Sequence, residues 1–163
     1  MTPLLDRMLQ TVDREKESTV QLLRTLIQTE SVTGNEAEAG RVLAEGMRKA
    51  GFDMVEIDAI GNVIGKVKGS VGPTLLYNGH IDTVPPGDRR LWRVDPYGGE
   101  VIRGEVWGRG ACDNKGALAA MNAAVSAIKS SSVALKGTLI VTGVVREENA
   151  QFEGTRHTIE EDR

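Results

Sequence analysis

Three short segments of the chain carry residue types that could do chemistry together. In His80-Ile81-Asp82, a histidine follows directly on an apolar run, and an aspartate lies two residues on, on the same side of an extended chain. Asp82 could therefore accept a hydrogen bond from the imidazole, fixing its tautomer and raising its basicity as a metal ligand; the same pair also suits a histidine held structurally by a local carboxylate. In Gly108-Arg109-Gly110-Ala111-Cys112-Asp113-Asn114-Lys115-Gly116, glycines flank a lone carboxylate at the entry to a helix. Asp113 could cap that helix, while the glycine density points to a close backbone approach. Glu147-Glu148 follows a strongly apolar strand, and adjacent carboxylates repel unless a cation or a proton is shared. One could bind metal while the other moves protons, or the pair could be solvated and balanced by Arg146. Cys112 reads as a small buried packing residue. His157 reads as an exposed residue of a polar tail.

The elements that must position these residues follow from periodicity. Residues 4–29 have helical spacing, with a charged stretch at Asp13–Glu17 that suits a solvated face or a bend. Ser31–Glu36 breaks the pattern and offers capping residues to a second helix, which runs to about Ala50 and stops at Gly51. Met54–Asp58 and Val63–Val67 alternate around Gly61-Asn62 as a hairpin. Pro73–Asn78 reads as a buried strand ending at Gly79-His80. An excursion rich in Pro, Gly and Asp occupies residues 84–98 around Trp92, and Val101–Trp107 forms a short hairpin turning at Arg103-Gly104. Residues 115–129 form an alanine-rich helix. Gly137–Val145 is the best central strand and leads into Glu147-Glu148, and Glu153–Arg163 adds no core-building element. The expected class is α/β, a layered sheet with helices on both faces. In such sheets ligands gather beyond the carboxyl ends of the strands, where both ionisable segments fall.

Composition narrows the class further. With 163 residues the chain can bury one core. Aromatics are 4%, so that core must be built from Leu, Val, Ile and Ala. The formal net charge of -3 is spread over interspersed residues, which excludes the basic stripe of a nucleic-acid partner. One cysteine permits no internal disulfide. The first residues meet charge at Asp6-Arg7, too early for a signal-peptide core, and no apolar run reaches the ~20 residues of a membrane span. A cytoplasmic protein is expected.

Gly79-His80-Ile81-Asp82-Thr83-Val84-Pro85, Gly108–Gly116 and Glu147-Glu148-Asn149 occur in the order and spacing of a known family. They resemble the zinc-dependent peptidases and deacylases that include acetylornithine deacetylase, succinyl-diaminopimelate desuccinylase and glutamate carboxypeptidase. Trp92–Gly99 and Ser31-Val32-Thr33-Gly34 look like that family too, and the wording is closest to a hydrolase branch linked to selenium metabolism. The resemblance implies that His80 binds one zinc, Glu148 the other, and Asp113 bridges them. Cobalt or manganese would suit the same ligands. It implies that Asp82 orients His80, that Glu147 is the general base acting on a metal-bridging water, and that the Asp113-Asn114 peptide is cis. The substrates implied are N-acyl amino acids or small peptides, cleaved at an amide bond.

Members of the family continue past the paired glutamates to a further acidic ligand, a dimerisation domain and a late metal-binding histidine. Residues 1–163 are accordingly expected to be the N-terminal portion of a two-zinc exopeptidase-like catalytic domain, with a homodimer formed by the full-length parent. The alternative expectation is a truncated, catalytically incompetent metal-binding or interaction module.

Overall fold

The computed structural model describes residues 2–161. Its sheet has four strands in the order β1 (Met54–Ile57), β2 (Val63–Val67), β6 (Leu139–Val144), β3 (Leu75–His80). β1 and β2 pair antiparallel, as do β2 and β6, whereas β3 runs parallel to β6. β6 is central because it can be: its apolar side chains are covered on both faces, as an inner strand requires. The hairpin between β1 and β2 turns on Asp58, whose carboxylate accepts the N–H groups of Ile60, Gly61 and Asn62. A separate two-stranded hairpin, β4 (Glu100–Ile102) and β5 (Glu105–Trp107), turns where expected, with Arg103 and Gly104 both left-handed.

Helices flank the sheet unevenly. α3 (Ala37–Ala50) and α4 (Lys115–Ser130) lie on one face, and Leu43, Met47, Leu118 and Val125 close a core there over Val63, Val67 and Val141. α3 stops at Gly51, which adopts a left-handed φ of 88°. α1 (Pro3–Arg14) and α2 (Lys16–Gln28) pack on α4 as an outer layer. The single helix expected over residues 4–29 is thus two, broken at Glu15, whose carboxylate accepts a hydrogen bond from Ser126 of α4. No helix among the described residues is long and apolar enough to cross a membrane.

β3 is not the buried strand expected: Leu75, Leu76 and Tyr77 are 55%, 41% and 49% exposed, because β3 lies at the edge of the sheet and no strand among the described residues pairs with its outer side. The polar tail forms a helix, α5 (Glu153–Glu161), which adds no residue to the hydrophobic core, as expected. It is seated by polar contacts: Asn62 donates to the Gly154 carbonyl and the Thr158 hydroxyl, and Asn78 donates to Thr155. Asn78 also accepts from Thr142, which faces away from α3 and α4, so α5 reaches the opposite face of the sheet. His157 is therefore not simply exposed; its Nε2 lies 3.7 Å from Asp58 Oδ2 and it is partly buried. Asp162 and Arg163, the end of that tail, lie outside the described residues.

Candidate metal centre

The parallel pairing of β3 with β6 sets His80 opposite Val144, so both strands end at one level. Beyond it Ile81 continues the ladder by donating to the Val144 carbonyl. Ser31–Thr33 runs alongside: Ser31 donates its hydroxyl to the Ile81 carbonyl, and Thr33 donates its hydroxyl to Asp82. Of the segment Ser31–Glu36, expected to offer capping residues, Glu36 stands at the cap position of α3 but makes no side-chain capping bond.

His80 is 7% exposed. Its Nδ1 lies 3.0 Å from the Asp82 backbone carbonyl and 3.5 Å from the Asp82 carboxylate. A carbonyl only accepts, so Nδ1 carries a proton and Nε2 faces the site. Nε2 lies 2.8 Å from Asp113 Oδ1. Burial by itself lowers the His80 pKa, but hydrogen bonds to Asp82 and Asp113 outweigh it and raise the value to about 9.

Asp82 has no exposed surface. Burial pushes its pKa up, yet the bonds from His80, Thr33 and the Glu147 and Glu148 amides prevail and hold it below the usual carboxylate range. The expected contact with the imidazole is made through both the carbonyl and the carboxylate of Asp82, and the carboxylate also does something the sequence did not show. Its two oxygens accept the N–H groups of Glu147 and Glu148 at 3.1 and 3.0 Å.

Asp113 does not cap α4; Asn114 occupies that position and makes no side-chain capping bond. The Asp113-Asn114 peptide is cis, as the resemblance implied. Cys112 is exposed rather than buried, since the loop turns outward there. Behind the loop Lys115 is fully buried, donating from Nζ to the carbonyls of Leu26 and Thr29 at the end of α2. Burial lowers its pKa to about 8. Nothing in its sequence neighbourhood signals this.

Glu147 does not follow β6 directly. The strand ends at Val144, and the chain turns through Arg146, which has a φ of 57°. The outcome is convergence: ligand atoms from His80, Asp113 and Glu148 all lie within 4.8 Å of one another, and Glu147 Oε2 is 3.8 Å from His80 Nε2. One imidazole nitrogen and two carboxylates form a donor set suited to zinc, cobalt or manganese. Asp113 keeps most of its side chain in solvent, with 75% exposed, so the set opens outward. The residues present fit a divalent ion.

Histidine and carboxylate side chains gathered beyond the parallel strand ends of an α/β sheet make a candidate metal site. The profile of peptidase family M20/M25/M40 matches residues 76–163, and the chain belongs to that family. It is 41% identical over 145 residues to succinyl-diaminopimelate desuccinylase of Methylocella silvestris, with 83% of this chain and 37% of that enzyme covered. Human carnosine dipeptidase 1 shares the fold with a TM-score of 0.82 and 23% identity, over 99% of this chain and 39% of that one. The Bacillus subtilis YxeP protein, described as a dinuclear metal binding peptidase of the M20 family, matches with a TM-score of 0.69 and 20% identity, over 88% and 38% of the two chains. The chain thus spans less than two fifths of the length of each of these relatives.

Proposed function

We propose that this chain carries the metal-binding and proton-transfer residues of a hydrolase acting on amide bonds in N-acyl amino acids or small peptides. The observation that supports it most is the meeting of His80, Asp113 and Glu148 within 4.8 Å, with Glu147 beside them. His80 and Glu148 would each hold one of two zinc ions, with Asp113 shared between them. Bound ions would supply Lewis acidity, lowering the pKa of water and polarising the scissile carbonyl. Glu147 takes the proton from the attacking water as its oxygen bonds to the carbonyl carbon. It then delivers that proton to the nitrogen as the C–N bond breaks. Asp82 holds the His80 ring through its backbone carbonyl and both glutamate amides through its carboxylate. The enzyme is proposed to be cytoplasmic, and the residues to be the N-terminal portion of its catalytic domain, a reading supported by the order of the three motifs and by the 37% of the desuccinylase that the chain spans.

The test is zinc content together with hydrolysis of N-acyl amino acids and dipeptides by the zinc-loaded protein. Glu147→Ala should lower turnover by about 10²–10⁴-fold, the usual contribution of a general base, while bound zinc is retained. Turnover unchanged by that substitution would remove Glu147 from the role. A second reading, metal binding without turnover, is favoured by one observation. Among the described residues a single cluster of three ligands is assembled, whereas catalytic zinc commonly has three protein ligands per ion. Tight zinc binding with no hydrolysis of any such substrate would select it.

A further inference from the structure

The loop bearing Glu147 and Glu148 hangs on four consecutive backbone N–H groups, and every one of them is taken by a buried side chain from elsewhere. Val145 donates to Asn62 Oδ1 at 3.0 Å, and Arg146 to Glu36 Oε1 at 3.3 Å. Glu147 and Glu148 donate to the two oxygens of Asp82. Asn62 and Asp82 have no exposed surface and Glu36 has 7%. The sheet ladder has ended at Val144, so these side chains replace the neighbouring strand that would otherwise fix the backbone.

Glu36 is the least expected of the three. It stands at the start of α3, where a carboxylate would ordinarily cap the helix, yet it makes no capping bond there. Its Oε1 accepts from Gly34 at 2.8 Å as well as from Arg146. Arg146 is the residue that must hold a left-handed φ of 57°, a conformation that side chains with a Cβ disfavour. Its guanidinium is engaged elsewhere, with Glu153 at 2.6 Å. A buried carboxylate whose oxygen serves two loop amides, those of Gly34 and Arg146, is costly unless the loops need it. At this point the chain reverses to bring Glu147 and Glu148 beside His80.

We propose that Glu36 is a positioning residue of the metal centre, holding Arg146 in the left-handed turn that aims Glu147 and Glu148 at His80. The proposal rests on the reading of those two glutamates as base and ligand. Its test therefore has one arm that does not depend on that reading. Backbone amide exchange is followed residue by residue in the metal-free protein, and cobalt(II) uptake is titrated by visible absorption. With Glu36→Ala, the Arg146 amide should exchange at least tenfold faster while the Val141 amide in the sheet is unchanged. Cobalt affinity should fall by roughly 10–100-fold, as for loss of other groups that orient metal ligands, with an altered absorption band. Glu36→Gln keeps the acceptor and should stay within about threefold of the parent in both measurements, the span left to a mere change of charge at a kept hydrogen bond. Arg146→Gly added to Glu36→Ala should recover part of the affinity, because glycine adopts the left-handed turn without help.

The proposal is overturned if Glu36→Ala leaves exchange at Arg146 and cobalt affinity unchanged. It is equally overturned if Val141 loses protection in step with Arg146, which would make the role a general one in the fold. Should Glu36→Ala not fold, Glu36→Asp, too short to span Gly34 and Arg146, replaces it under the same criteria. If the parent protein takes up no cobalt, the proposed metal site fails, and the exchange arm alone decides whether Glu36 holds the loop.

Discussion

His80 Nε2 and Asp113 Oδ1 lie 2.8 Å apart although 33 residues separate them in the chain. With Nδ1 already donating to a carbonyl, this contact places a shared proton between the imidazole and the Asp113 carboxylate.

Metal-free protein should accordingly show a His80 imidazole titrating at about 9, measurable by its ring proton shifts. That value lies above the 6.5 of an unperturbed histidine, so the protonated ring favours the folded state. Its stabilising contribution is complete below pH 6.5 and is lost as pH rises through about 9. Denaturant midpoints of the metal-free protein should fall across that window. Zinc uptake at pH 7.5 should release about one proton per site, since the metal displaces it. A ring that titrates at or below 6.5 would contradict the geometry.

Gly79→Ala should weaken metal binding by acting on the partner loop. A methyl group on Gly79 would meet the Asn114 side-chain oxygen at 2.6 Å and the Leu118 side chain at 3.0 Å. Where these two side-chain ends do not rotate aside, the start of α4 moves off β3 and takes Asp113 away from His80. Overpacking of this kind costs about 1–3 kcal/mol, to be read from urea denaturation, and cobalt affinity should drop on the order of tenfold. Parental affinity in a folded variant would show that the loop can yield without moving Asp113.

Lys115→Met tests how the same loop is anchored from behind. Methionine fits the stem but leaves the Leu26 and Thr29 carbonyls without their shared donor. Two acceptors, one buried and one partly buried, stripped of a charged partner should lower stability by about 1–3 kcal/mol. Stability equal to or above the parent's would mean that burying the ammonium costs more than its two bonds return.

Much of this arrangement is legible in the sequence. The apolar run of β6 marked it as central, Gly51 marked the end of α3, and the three motifs named the residues that meet. The failures share a cause, which is that local pattern does not report neighbours. Leu75-Leu76-Tyr77 looks the same whether or not another strand lies beside it. That the tail builds no core was legible, but its helix α5 is seated by polar bonds to Asn62 that apolar periodicity does not register. Glu36 lies 110 residues from the amide it accepts, and its position before α3 suggests a cap. The second use of Asp82, on Glu147 and Glu148, is hidden for the same reason.

The pairing of β3 with β6 acts as a ruler for the cluster. A slip of one residue along that pair would shift His80 by about 3.3 Å and turn it to the other face of the sheet. The whole ligand set spans only 4.8 Å, so no adjustment of side chains could recover it. Metal affinity is therefore a gauge of strand alignment: substitutions far along β3 or β6 that loosen the register should be felt first as lost metal, before the fold itself gives way.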